Sequence, residues 1–299
     1  MASRAIPRVS ISILAAATLV VATVGAGAAQ SPSTGPAAPL PTSADGSLER
    51  VQRDGLYVGF AGENPWSFIA PDGTFQGAEA EMVLACAPKL GITEVYPVGM
   101  VFDGLLPALQ ARRIDMTAAG QSIREARLQV AIATQLLYRY GTRIVGMKGD
   151  PVLQTLNSWT KVGEAGVEVA GIRGSTELTD TAQFGVKWIE YPDNPTELAD
   201  LLAGRIKYMA WNDNYYSSYL KENPDAPIEA VADWDYEGVV SLPGHYFNSE
   251  DVGLRDAFNE CYSELKTSGQ MAEILTKWGF NPDTIPEPGP GFPPGFPEG

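Results

Sequence analysis

A serine and an arginine five residues apart, Ser122 and Arg127, are the side chains of this 299-residue sequence that most directly indicate a chemistry. Ser122 and Glu125 have the S-x-x-E spacing of a capping box, so the serine is predicted to cap a helix from whose first turns Arg127 projects. Free N–H groups at a helix N-terminus favour an anion, and a guanidinium can hold both oxygens of a carboxylate. The pair therefore predicts a carboxylate-binding site, although each residue taken alone is better explained as a simple cap or a solvated charge.

The elements that position this pair are a helix and a strand that precede it. The helix is predicted to open near Asp103, and an apolar strand from Ile114 to Ala119 is predicted to stop at Gly120. Open α/β sheets bind ligands at the carboxyl ends of their strands. The predicted site would therefore lie at that edge of a sheet.

A second group of candidate residues follows the first predicted strand of the globular region, Leu56 to Gly62. Glu63, Pro65 and Trp66 stand at its carboxyl end. This is the edge of an open α/β sheet at which ligands usually bind. These residues are therefore predicted to lie at a ligand-binding site.

The second half of the sequence repeats the pattern of a strand, a turn and a helix. A strand from Val167 to Ile172 leads to Ser175 and Thr176, which are predicted to open a helix. A later strand from Tyr208 to Trp211 presents Asn212 and Asp213 at its end. The alternation of strands and helices in both halves predicts an α/β protein.

The order of these motifs, beginning with the run FDGLLPALQ at Phe102, resembles the extracellular solute-binding proteins of family 3 that serve amino-acid ABC importers. The resemblance implies a two-lobed periplasmic binding protein fold of type II, with a ligand cleft between the lobes. It also implies that Ser122 and Arg127 hold the α-carboxylate of the ligand, that Phe102 stacks on it, and that Ser175 and Thr176 close on it from the second lobe.

Within this family, the spacing of Glu63, Pro65 and Trp66 is similar to that of ectoine-binding proteins, in which the glutamate receives the cationic ring. Ser122 departs from that pattern, since ectoine binders carry an aromatic residue there. The position that often holds an aspartate for an α-ammonium group is Asn212 here, with Asp213 one residue later. A polar amino acid and a derivative such as ectoine both stay open as ligands.

The chain is divided by composition and by the resemblance. The boundaries are residues 1–29 for a signal peptide, 30–54 for a disordered linker, 55–138 for the first part of lobe 1, 139–243 for lobe 2, 244–285 for a return to lobe 1, and 286–299 for a tail rich in Pro and Gly.

The first residues predict export. Arg4 and Arg8 precede an apolar run that ends in small residues, which is typical of a cleaved signal peptide, with a membrane anchor as the alternative. No later apolar stretch is long enough to span a bilayer. We expect a periplasmic product, with secretion or display on the cell surface as alternatives.

The charge of the chain excludes some partners. Its 21 Lys and Arg stand against 36 Asp and Glu, a formal −15, and residues 1–29 contain two arginines and no acid, so the formal charge without them is −17. Such a field repels nucleic acid and anionic membranes. The two cysteines, Cys86 and Cys261, match no metal-binding spacing, and a single disulfide and two buried free thiols both stay open.

The predicted function is therefore that of a monomeric receptor that delivers a small zwitterion to an ABC permease in the inner membrane, with no cofactor and no metal. The alternative is an enzyme on the same scaffold, resembling cyclohexadienyl dehydratase, in which Glu63 would be the general acid. The lone histidine, His245, belongs to no Ser-His-Asp or Cys-His motif, which favours the receptor.

Overall fold

The structure is a computed structural model that describes residues 9–10 and 40–287. The predicted signal peptide, apart from Val9 and Ser10, lies outside the described residues. So do residues 30–39 of the predicted linker and residues 288–299 of the predicted tail.

The regular elements alternate along the chain. The strands are β1 (Val9–Ser10), β2 (Leu56–Phe60), β3 (Phe68–Ile69), β4 (Phe75–Gln76), β5 (Glu94–Gly99), β6 (Met116–Thr117), β7 (Ile132–Ala133), β8 (Tyr140–Met147), β9 (Glu168–Ile172), β10 (Lys187–Tyr191), β11 (Tyr208–Asn212), β12 (Ile228–Ala230), β13 (Val240–Ser241) and β14 (Tyr246–Phe247). The helices are α1 (Ser47–Asp54), α2 (Ala78–Cys86), α3 (Leu105–Gln110), α4 (Glu125–Leu128), α5 (Trp159–Ala165), α6 (Glu177–Asp180), α7 (Asn194–Leu202), α8 (Asp213–Glu222), α9 (Val252–Thr267) and α10 (Gln270–Lys277).

The described strands form two larger sheets and a small hairpin. The first sheet has the order β1-β5-β2-β6-β14-β7, and the second has the order β10-β9-β11-β8-β12 with β13 also paired to β8. In each sheet parallel pairs, such as β2 with β5 and β9 with β10, adjoin antiparallel ones. The predicted two-lobed α/β architecture is confirmed, with one lobe built around each sheet.

The chain passes between the lobes twice. The first passage lies between β7 of the first sheet and β8 of the second, and the second lies between β13 and β14. Just before β14, Pro243 pairs with Ser122 in an isolated antiparallel bridge. The second passage therefore lies directly against the segment that carries the predicted carboxylate site.

The core of lobe 1 follows the helical periodicity of the return segment. The buried side chains of α9 recur at helical spacing and are Leu254, Phe258, Cys261, Tyr262 and Leu265. Cys261 forms a disulfide with Cys86 at the end of α2, with 5.9 Å between the Cα atoms. Of the two alternatives for the cysteines, the structure contains the disulfide.

The predicted linker ends too late. Helix α1 occupies Ser47–Asp54, and its Leu48 and Val51 are buried in the core of lobe 1. The segment just before α1 is anchored by Asp45, whose side chain accepts a hydrogen bond of 2.7 Å from the amide of Gly253. A short amphipathic helix has too few apolar residues to stand out in a polar segment, and its stability comes from packing on α9.

Among the residues that the structure describes, no helix has the length and apolar character needed to cross a membrane.

Candidate functional site

A cleft lies between the two lobes. Eight of the nine predicted ligand-binding residues line it, and they are Glu63, Trp66, Phe102, Ser122, Arg127, Ser175, Thr176 and Asn212. The ninth, Asp213, does not. The cleft is thus assembled from segments that are far apart in the sequence and come from both sheets.

Arg127 is fixed by backbone carbonyls of both lobes. Its Nη1 donates to the carbonyl of Ser122 at 2.7 Å, and its Nη2 donates to the carbonyl of Gly174 in lobe 2 at 2.8 Å. The guanidinium carbon lies 5.6 Å from the centre of the Phe102 ring. Because a guanidinium has five N–H groups, these two bonds leave donors for a ligand carboxylate.

Ser122 does not cap a helix, so the predicted capping box is wrong. Helix α4 begins only at Glu125, and the residue before it is Arg124 in an extended conformation. The Ser122 side chain is buried, and its Oγ accepts a hydrogen bond of 3.1 Å from the amide of Leu242. Pairing with the second passage between the lobes keeps Ser122 extended, which places its carbonyl, rather than a free helix terminus, beside Arg127.

The turn of lobe 2 approaches lobe 1 closely. Gly174 has a φ of 80°, and a Cβ at this position would lie 3.1 Å from the Cβ of Asp103. Ser175 and Thr176 follow immediately and line the cleft, and helix α6 begins at Glu177. A glycine is required here, since a side chain would be strained and would hold the lobes apart.

The cleft also contains two acidic side chains, Glu63 and Glu177. Glu63 of lobe 1 accepts a hydrogen bond of 2.8 Å from the amide nitrogen of Asn194 in lobe 2. Burial, together with the nearby charges of Glu177 and Asp193, raises the pKa of Glu63 to about 8. Glu177 itself accepts from the hydroxyl of Thr142 at 2.8 Å. Removal of water and the proximity of like charges both make this region attractive to a cation.

Asn212 and Asp213 have different environments. Asn212 lines the cleft, with its side-chain nitrogen 3.5 Å from the Oγ of Thr142. Asp213 forms an ion pair with Arg143 and accepts a hydrogen bond from the hydroxyl of Tyr236. The prediction that Asp213 binds the ligand does not agree with this placement, because its carboxylate is already neutralised within lobe 2.

Several residues of the cleft are absent from the sequence prediction. They are Ala119, Gly120, Tyr140, Thr142, Gly171, Ile172, Glu177, Leu178, Trp188, Asn194 and Ala210. Glu177 had a usable signal, because it follows Ser175 and Thr176 directly. Tyr140 and Trp188 had none, since only the pairing of strands brings their side chains to the cleft.

The lobes are also in contact through side chains that do not line the cleft. Arg124 of lobe 1 forms an ion pair with Asp180 of lobe 2, and both side chains are largely buried. Asn64 of lobe 1 donates a hydrogen bond of 2.8 Å to Glu222 of lobe 2. With the bonds of Arg127 and Glu63, these contacts describe a closed arrangement of the two lobes.

Residues 56–282 match the family model described as bacterial extracellular solute-binding proteins, family 3. A probable amino-acid ABC transporter periplasmic-binding protein of Sinorhizobium fredii is 29% identical over 248 residues, covering 80% of this chain and 82% of that protein. The L-arginine-binding protein of Pseudomonas aeruginosa is 28% identical over 253 residues, covering 80% and 90%. The crystal structure of EhuB in complex with hydroxyectoine superposes with a TM-score of 0.73 at 26% identity, covering 80% of this chain and 94% of that one.

Proposed function

The chain belongs to family 3 of the bacterial extracellular solute-binding proteins, and from this membership we propose that it captures a small zwitterion for an ABC importer. The observation that supports the proposal is that one closed cleft contains both a guanidinium and acidic side chains. Arg127, Glu63 and Glu177 all line it. A ligand with a carboxylate and a cationic group matches these two kinds of side chain.

In the proposed complex, Arg127 and the hydroxyls of Ser175 and Thr176 hold the carboxylate of the ligand. Trp66 and Phe102 form the apolar walls. A charge-assisted, bidentate interaction with the guanidinium is stronger than a neutral hydrogen bond. Because Arg127 already contacts both lobes, a carboxylate bound there stabilises the closed arrangement.

The two acidic side chains of the cleft, Glu63 and Glu177, favour a ligand with a second cationic group. Thr142 contacts both Glu177 and Asn212, so Glu177 stands near the position where an aspartate was expected for an α-ammonium group. Glu63 then remains for a cation farther along the ligand. This division favours a basic amino acid such as L-arginine, while a cyclic cation such as hydroxyectoine, bound by the related EhuB, is the second candidate.

The relatives described above are binding proteins, which supports a receptor over the dehydratase alternative. Because the relative from Sinorhizobium fredii is a periplasmic-binding protein, we place this protein in the periplasm. We also propose export through the signal peptide of residues 1–29 and delivery as a monomer to a membrane permease. N-terminal sequencing of the exported protein tests cleavage of the signal peptide. Measurement of ligand uptake in a strain that lacks this protein tests delivery to a permease.

A calorimetric titration tests the proposed ligand class. L-arginine, L-lysine, L-histidine, ectoine, hydroxyectoine and glycine betaine are titrated into the wild type, Arg127→Ala and the control Arg173→Ala. Arg173 is an exposed arginine of lobe 2, paired with Glu190. We expect one compound to bind tightly to the wild type and to the control, and about 100-fold more weakly to Arg127→Ala, because a buried charge pair loses one partner. Unchanged binding by Arg127→Ala contradicts the proposed carboxylate site.

A further inference from the structure

A fully buried polar cluster contacts Gly120, one of the residues that line the cleft. The function proposed above does not use this cluster. Glu79 accepts hydrogen bonds from the amide of Gly120 at 2.8 Å and from the hydroxyl of Tyr138 at 2.7 Å. His245 Nε2 lies 3.4 Å from the Glu79 carboxylate, and His245 Nδ1 lies 2.6 Å from the Tyr262 hydroxyl. The side chains of Glu79, Tyr138, His245 and Tyr262 are all inaccessible to solvent.

The members of this cluster come from four segments of lobe 1. Glu79 is in helix α2 and Tyr262 is in helix α9. Tyr138 lies in the first passage between the lobes, and His245 lies in the second. The cluster therefore connects the two passages to each other, and it connects both to the amide of Gly120 at the edge of the cleft.

Gly120 is held on three sides. Glu79 binds its amide, the hydroxyl of Tyr140 donates to its carbonyl at 2.8 Å, and the indole of Trp66 covers its Cα. Its φ is 64°, and a Cβ at this position would lie 2.6 Å from Trp66 Nε1, so only glycine fits. Two residues later, the carbonyl of Ser122 holds Arg127. The position of Arg127 thus depends on the turn that Glu79 holds.

A buried carboxylate is costly, which indicates that this one has a use beyond packing. Glu79 is compensated by two hydrogen bonds and one longer contact, and an apolar residue would fill the same space at lower cost. Burial, followed by the charge of Glu79, raises the pKa of Tyr138 and of Tyr262, so both hydroxyls stay protonated as donors. His245 Nε2 has no hydrogen-bond partner among the described residues, which leaves one contact of the cluster free to shorten.

We propose that Glu79 is the positioning residue of the carboxylate site. Tyr138 and His245, which contact the Glu79 carboxylate, connect Glu79 to the two passages between the lobes. Closure of the lobes then sets the turn of Gly120 to Ser122 and, through it, Arg127. The contact between His245 Nε2 and Glu79 shortens when ligand is captured. This inference rests on the proposed function for the identity of the site, but its effect on the Gly120 turn is independent of any ligand.

The first test is made without ligand. Hydrogen exchange is followed by mass spectrometry in the wild type, Glu79→Gln and the control Glu81→Gln. Glu81 lies in the same helix and pairs with Lys277 at the surface. Glutamine keeps the shape of the side chain but cannot accept hydrogen bonds at both of its terminal atoms. We expect faster exchange in a peptide spanning residues 118–124 of Glu79→Gln alone, with exchange in β9 of lobe 2 unchanged. Equal protection of that peptide in all three proteins overturns the proposal.

The second test separates a role in the site from a role in the fold. L-arginine and agmatine, which lacks the carboxylate, are titrated into the same three proteins. For Glu79→Gln we expect affinity for L-arginine to fall by about tenfold or more, as for loss of one charge-assisted hydrogen bond, and affinity for agmatine to stay the same. An equal loss for both compounds shows a role in folding alone and overturns the proposal. If the wild type binds neither compound, the assigned ligand class is at fault, and the exchange measurement still decides the role of Glu79.

The third test uses the fact that the sequence contains a single histidine. In untagged protein, the side-chain nitrogen signals of His245 are assigned without ambiguity by NMR. We expect the Nε2 signal to shift when L-arginine is added to the wild type, since the contact with Glu79 shortens, and not when it is added to Arg127→Ala. A signal that does not respond to bound L-arginine contradicts the coupling of His245 to the site.

Discussion

Two ionisable residues of the cleft, Arg127 and Glu63, have different environments. Arg127 donates hydrogen bonds to two backbone carbonyls. Glu63 is buried, faces other acids, and has its pKa raised to about 8. The closed protein without ligand therefore carries a proton on Glu63 at neutral pH, and a cationic ligand takes the place of that proton.

Binding of L-arginine is expected to release a proton below pH 8. The neutral form of Glu63 attracts a cation less than the ionised form does, so the affinity should weaken as the pH falls from 8 to 6. Calorimetric titrations in two buffers with different heats of ionisation measure the proton directly. Glu63→Gln should bind more weakly at pH 8 and lose this dependence, whereas Glu81→Gln should keep it. An affinity of the wild type that is constant between pH 6 and 8 would contradict this description of Glu63.

At the scale of elements, the longest helix described in lobe 1, α9, is held by a covalent bond as well as by packing. Helix α9 buries one face against α1, α2 and α10 and is joined to α2 by the disulfide between Cys86 and Cys261. The bridge closes a loop with a sequence separation of 175 residues. A loop of this length restricts the unfolded chain strongly.

Removal of the disulfide is expected to lower stability without changing the site. In the double variant Cys86→Ala and Cys261→Ala, the free energy of unfolding should fall by about 2–4 kcal/mol, the typical contribution of one disulfide. Urea denaturation measures the difference, and ligand affinity should be retained, since neither cysteine lines the cleft. As a control, a reducing agent should destabilise the wild type and leave the double variant unaffected. Equal stability of the two proteins would show that the bridge does not restrict the unfolded chain.

The two lobes are closed on each other, and side chains outside the cleft help to join them. The ion pair of Arg124 with Asp180 joins lobe 1 to lobe 2. Such a contact can form only when the lobes are closed, so it stabilises the closed state alone. A contact that is specific to one state shifts the population toward that state.

Asp180→Asn is expected to release ligand faster. Loss of this ion pair should weaken binding by about two- to fivefold, which is within the range measured for ion pairs near the protein surface. The increase should appear mainly in the dissociation rate, measured by stopped-flow fluorescence of the tryptophans. The control Asp256→Asn removes an ion pair within lobe 1, with Arg255, and should leave the rate unchanged. An unchanged dissociation rate in Asp180→Asn would show that this ion pair does not hold the lobes closed.

The sequence by itself determined the elements with strong local patterns. The strand-turn-helix patterns after Leu56 and Val167 were sufficient to predict an α/β protein, and the order of the motifs, through its resemblance to a family, predicted the two lobes. Arg127, Glu63 and Trp66 were found because residue type and position after a strand are local properties. Helix α1 was missed, because a helix this short is stabilised mainly by the lobe on which it packs.

Only the tertiary structure decided how the candidate residues act. Ser122 was predicted to cap a helix, but it pairs with the passage at Leu242, which is 120 residues away in the sequence. Asp213 was predicted in the cleft, but Arg143 on a neighbouring strand neutralises it. The raised pKa of Glu63 needs the burial and the acids that lobe 2 supplies. In each case the contact that determines the role of the residue joins segments far apart in the chain. The local sequence does not show which distant group will be the partner.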